Sequence, residues 1–351
     1  MTRRFSLGGY EAGVLWKFLD GISSAVSQRM VQGSTPGEEN LTFLLCELLD
    51  ANTTSLHALS YSLAHAKADL EKSDAGLTVD IAFETHEHSK HVESKYSGAD
   101  LGIVLAVDHP VLGRSRRGIL VQAKRLFGTG PQREYGLYSA YNSFDRKQAD
   151  FLKTLASRFQ AWNSVYYLWY NPPSTSFREA DAKILRAHEA MVLGGSWHGK
   201  HPFVDEMMEM GGLTWSFGGR SPRIEATPDD EAAARLWRAT QPALRVSPLD
   251  VASAVGQHGR PQLKALYDAR LERRHEPAFS PFADFLLLAL ASSRYGSEGP
   301  DWLRLTEGQR VSMPKEKSPE TPRTDIDDLE SLPTPRHTLS VTLRSTLPAV
   351  G

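Results

Sequence analysis

Two short apolar runs constrain this chain more than anything else in it: residues 97–105, Ser-Gly-Ala-Asp-Leu-Gly-Ile-Val-Leu, and residues 118–125, Gly-Ile-Leu-Val-Gln-Ala-Lys-Arg. Each is β-branched or leucine-rich and bounded by Gly, Pro or charge, the pattern of a strand. The link over 108–117 holds Pro110, Gly113 and the arginines 114, 116 and 117, so the expected arrangement is an antiparallel hairpin with an irregular loop. Side chains on a strand alternate between faces, which puts Gln122 and Lys124 on the same one. With Asp100 roughly opposite Lys124, a carboxylate, an amide and an ammonium converge on one patch.

The surrounding pattern is α/β. Residues 10–30 carry Val14, Leu15, Phe18, Leu19, Ile22 and Val26 at helical spacing, an amphipathic first helix suited to docking. A second helix starts after the turn at Pro36-Gly37, with Glu38 and Glu39 in its first turn, where carboxylates suit the helix dipole. Its leucines 41, 44, 45, 48 and 49 form one apolar face. Residues 55–72 read as a helix and 77–85 as a half-exposed strand. The run Thr-His-Glu-His-Ser-Lys-His at 85–91 lacks the second histidine of a His-Glu-x-x-His pair, because Lys90 stands there, and reads as a polar loop. Beyond the hairpin, 145–159 reads as a helix and the aromatic run at 164–171 as a strand covered on both faces.

An acidic helix, then Asp100 on one strand and Gln122-x-Lys124 on the next, resembles the PD-(D/E)xK, or restriction-endonuclease-like, nuclease superfamily. The resemblance implies that Asp100 is the metal-binding aspartate, that Gln122 stands at the variable Glu/Gln position, and that Lys124 is the family lysine. It implies an upstream glutamate at Glu38, with Glu39 as the alternative. This chain departs from the family pattern in having no proline before Asp100 and in carrying glutamine at 122. The fold implied is a restriction-endonuclease-like core, a mixed sheet flanked by helices, over residues 36–175. Magnesium or manganese would be the cofactor, held by Asp100, Gln122 and Glu38 and hydrolysing DNA phosphodiesters, since oxygen ligands suit those cations. Flanking carboxylates favour a charged Lys124, which suits an electrostatic role better than that of a base. The basic residues Arg114, Arg116, Arg117, Arg125 and Arg133 would form either a lip over the phosphate backbone or an ordinary solvated charge cluster, and Gln148 either a polar contact near the site or a solvated residue of the following helix.

Composition sets the limits. A formal charge of −2 over 351 residues excludes a chain that is basic throughout, so nucleic-acid contact must come from a local patch. The single cysteine, Cys46, lies in an apolar run and reads as a buried thiol; one cysteine forms no internal disulfide, which fits a reducing cytoplasm. There is no secretory h-region behind the N-terminal arginines and no run long enough to cross a membrane. Residues 1–35 form the helical docking element, 176–306 a mostly helical accessory region, and 307–351 a Pro/Ser/Thr-rich linker and tail in which Leu-Ser-Val-Thr-Leu at 339–343 alternates like a strand. Trp197, His198, His201 and Trp215 punctuate a glycine-rich stretch and read as loop residues. Stand-alone nucleases that resemble this one are often restriction or anti-phage effectors, and such an enzyme needs a partner or self-association to restrain it. The alternative is an inactive nuclease-like binding or scaffolding subunit.

Overall fold

The structure, a computed structural model, describes residues 9–32, 36–50, 59–72, 78–88, 99–110, 113–128, 134–141, 144–181, 244–249, 260–266, 280–312 and 332–346. The glycine-rich stretch with Trp197, His198, His201 and Trp215, together with Arg133, lies outside them.

Helices α1 (Gly9–Arg29), α2 (Glu38–Leu49) and α3 (Leu63–Leu70) precede strand β1 (Thr78–Glu87). The hairpin β2 (Leu101–His109) and β3 (Gly113–Arg125) follows, then α4 (Arg146–Arg158) and β4 (Val165–Tyr170). Further on come β5 (Arg245–Pro248), the two-residue β6 (Ser280–Pro281), α5 (Phe282–Ala291), α6 (Pro300–Thr306) and β7 (His337–Thr346). The strands form one mixed sheet in the order β1-β7-β2-β3-β4-β5-β6. β7 is parallel to β2 and β3 to β4, while the other neighbours are antiparallel. No described helix is long and apolar enough to cross a membrane.

Tyr166 and Tyr167 show how the sheet is covered, because neighbours on a strand point to opposite faces. Tyr166 packs on Phe285 of α5, with ring centroids 4.8 Å apart, whereas Tyr167 meets Phe144 at the entrance to α4 at 5.8 Å. α2 lies on the α5 side, its Thr42 hydroxyl 2.9 Å from that of Tyr170. α6 lies on the α4 side, where the Trp302 indole N–H donates to the Gly118 carbonyl. At β4 both faces are thus covered, and the strand is buried at every position, as its unbroken apolar run requires. Gly102 allows α6 to come close: a Cβ there would stand 2.0 Å from the Thr306 carbonyl oxygen.

Several expectations change. Of the helix expected over 55–72, residues 55–58 lie outside the described residues, 59–62 are not helical, and α3 starts at Leu63, where the Ser62 hydroxyl caps it by accepting from the His65 N–H. The first strand continues through His86 to Glu87, so residues 85–87 of the run read as a loop are strand, and 89–91 lie outside the described residues. The boundary expected at 175 cuts across the sheet, since β5, β6 and β7 extend it. Residues 337–346 form an interior strand between β1 and β2, rather than a docked end of a tail. The hairpin strands are also longer than expected, with only 110–112 between them, so the three arginines read as loop residues lie on β3.

Candidate functional site

Register brings the site together. Leu101 pairs with Val121, and the Asp100 N–H donates to the Val121 carbonyl, so the next residues out, Asp100 and Gln122, lie side by side. This corrects the expected pairing of Asp100 with Lys124 by two residues. The three side chains still share a face, because 122 and 124 have the same parity. β2 has not yet begun at Asp100, so the Ala123 N–H has no ladder carbonyl opposite it. The Asp100 carboxylate takes that place, with Oδ2 accepting from Ala123 N at 2.7 Å and from the Gln122 side-chain amide.

Glu38 reaches the same cluster from the other face. The first turn of α2 stands over the end of β3, so that Glu38 Oε1 accepts from Arg125 N at 3.0 Å and Oε2 lies 3.8 Å from Lys124 Nζ. Glu39, the alternative at this position, turns away to an ion pair with Arg336. The geometry therefore joins Glu38, Asp100, Gln122 and Lys124, and separates Glu39 from them.

The electrostatics are those of a carboxylate held out of water. Asp100 keeps partial surface as a residue, but burial pushes its carboxyl up to about 7; Lys124 and the Ala123 N–H pull the other way, and Glu38 and Glu39 push further up. Lys124 is 3% exposed and Glu38 19%, so the open side of the cluster is at the helix end rather than at the ammonium. Tyr170, beneath the cluster, is driven well above its ordinary value, mainly by burial. Cys46, on the buried side of α2, is pushed up to about 12 by desolvation and the nearby Asp50 and Glu87, and is an inert thiol at neutral pH.

The donor set bears on metal binding. Among the described residues no group of three His, Cys, Asp or Glu side chains is arranged to hold a cation. The oxygens available are the carboxylates of Asp100 and Glu38 and the amide of Gln122, whose Oε1 is buried with no hydrogen-bond partner. An orphaned buried oxygen beside a carboxyl raised by desolvation is a local deficit of positive charge. Hard oxygens of this kind fit magnesium or manganese.

The basic lip is not assembled as expected. Arg117 is 2% exposed and donates to the carbonyls of Ser292 and Tyr295 beyond the end of α5, so it caps a helix inside the protein and cannot meet a phosphate. Arg125 is also buried, its guanidinium 4.8 Å from the centroid of the Phe127 ring. Arg114 is exposed and pairs with Asp108 at 3.0 Å, and Arg116 pairs with Glu307. Gln148 is buried on α4, the helix on the Asp100 side of the sheet. Arg336 was invisible to sequence reasoning, since its place depends on β7 entering the middle of the sheet. No protein-family model, curated protein or solved structure significantly matches the chain.

Proposed function

We propose that this protein is a metal-dependent nuclease of the PD-(D/E)xK type that hydrolyses DNA phosphodiester bonds. The observation that carries the reading is the convergence of Asp100, Gln122, Lys124 and Glu38 at one end of the sheet, with Lys124 Nζ 3.8 Å from Glu38 Oε2 and Asp100 held between Gln122 and Ala123. The element order supports it: acidic helix α2, antiparallel β2 and β3, helix α4, and β4 parallel to β3, an arrangement compatible with a restriction-endonuclease-like core. A restriction or anti-phage role is what the resemblance implies, and DNA is preferred to RNA on the same ground.

Asp100 and Glu38 would hold magnesium or manganese, with the Gln122 amide oxygen as a neutral third donor. When bound, the cation supplies an acidified water and neutralises charge developing on the phosphate. Lys124, from the closed side of the cluster, adds a compact positive charge to the site, worth most because its surroundings are dry. The backbone N–H groups of Ala123 and Arg125 fix the two carboxylates, so neither reorganises as charge develops. Asp100 must lose its proton before it can ligate, and its raised pKa makes proton and cation competitors.

The test is cleavage of supercoiled plasmid with magnesium or manganese by the wild type, Asp100→Ala and Lys124→Ala. Metal-dependent cutting by the wild type alone is the expected result; no cutting, with no metal binding by calorimetry, overturns the reading. The second reading, an inactive nuclease-like binding module, is favoured by the 3% exposure of Lys124 and by the neutral glutamine at 122. It expects DNA retention that is indifferent to metal and to both substitutions.

A further inference from the structure

Arg336 stands at the same end of the sheet, and the chemistry above makes no use of it. It immediately precedes β7, which pairs with β2 so that His337 N donates to the Asp100 carbonyl at 3.1 Å. Its guanidinium pairs with Glu39 on α2 and, through Nη2 at 3.5 Å, with Glu87 at the end of β1. One planar fork thus joins three elements, α2, β1 and β7, at the margin of the site.

The start of α2 needs such an external hold. Its N-cap is Gly37, which makes no side-chain capping bond. Neighbouring residues on a helix point about 100° apart, so fixing the direction of one fixes that of the next. We infer that Arg336 is a positioning residue: by drawing Glu39 towards β1 and β7 it turns Glu38 onto Lys124 and the Arg125 N–H. The consequence for metal binding rests on the nuclease reading, whereas the positioning of α2 does not. Arg336 is 28% exposed, Glu39 61% and Glu87 50%, so solvent screens these pairs and their effect is on direction rather than on global stability.

The experiment compares wild type, Arg336→Ala, Arg336→Lys, Glu39→Gln and the Arg336→Ala/Glu39→Gln double variant in the full chain. Amide hydrogen exchange over the first turn of α2 reads position, and calorimetry with manganese alone reads the site. Arg336→Ala and Glu39→Gln are each expected to speed exchange there severalfold and to weaken manganese binding about tenfold, the size of effect seen when a group that orients a ligand is lost. The double variant is expected to be no worse than either single one, because both remove the same contact. Arg336→Lys should restore part of the effect, since an ammonium bridges two carboxylates less well than a guanidinium. Thermal midpoints should stay within a few degrees of wild type. Unchanged exchange in Arg336→Ala overturns the inference, as does a Glu39→Gln loss of manganese binding matched by none in Glu38→Gln. Faster exchange in a chain whose wild type binds no manganese upholds the positioning role and defeats the nuclease reading.

Discussion

Replacing Asp100 by asparagine is expected to stabilise the protein and to silence it. Burial moves the Asp100 carboxyl from 3.8 to about 7 in the folded chain. At about 1.4 kcal/mol per pKa unit, a rise of that size corresponds to roughly 4 kcal/mol of stability lost by keeping the carboxylate ionised. The sign follows from proton counting. Between the two values the folded chain holds a proton that the unfolded chain has released, so stability falls as pH rises through the window from about 4 to about 7 and stays low above it. An asparagine carries no such charge, and its carbonyl oxygen still accepts from Ala123 N. With a cation-free buffer, urea unfolding at pH 5, 6, 7 and 8 should give a stability difference in favour of Asp100→Asn that grows with pH to about 2–4 kcal/mol. Manganese at a hundred times its dissociation constant should return about 2.7 kcal/mol to the wild type and nothing to the variant. Parallel pH dependences for the two proteins, or a variant less stable at pH 8, would refute the reasoning.

Other outcomes follow from the same contacts. Manganese-dependent cleavage should rise about tenfold per pH unit below 7 and level off above it, because the Asp100 proton must leave; a flat profile from pH 5.5 to 8.5 counts against Asp100 as a ligand. Gly102→Ala should cost about 3 kcal/mol or more in denaturant unfolding, since the new Cβ meets the Thr306 carbonyl at 2.0 Å and backbone must move. Arg117→Ala should destabilise by about 3 kcal/mol through the carbonyls it leaves unpaired, with no change in DNA retention at fixed salt. A loss of retention with stability intact would return Arg117 to the nucleic-acid surface.

The local part of this structure was legible in the sequence. The leucines of α2, the aromatic run of β4 and the alternation that puts Gln122 beside Lys124 all report short-range periodicity, and each lies where its pattern places it. Register is not legible in the sequence, because Pro110, Gly113 and the arginines read as one turn over 108–117, whereas the strands run on to His109 and resume at Gly113. The burial of Arg117 is hidden for the same reason: on β3, parity and the neighbouring α5 decide it, and neither is visible in a basic run. The choice between Glu38 and Glu39 depended on Arg336, hundreds of residues away, which periodicity cannot reach.

β7 also sets a timetable. Among the described strands β1 pairs with β7 alone, and β2 has β7 along one edge. During synthesis both strands leave the ribosome long before residues 337–346 exist. At about 5–20 residues per second the interval is tens of seconds. Through that interval β2 presents an open, apolar edge, the kind that pairs with other chains. The Asp100 carbonyl waits for His337 and Glu39 waits for Arg336, so the nascent chain carries all four residues of the candidate site without the strand that squares them to one another. The sheet cannot be completed until residues 337–346 have been made, and an unfinished copy of the protein carries an aggregation risk that the finished one does not.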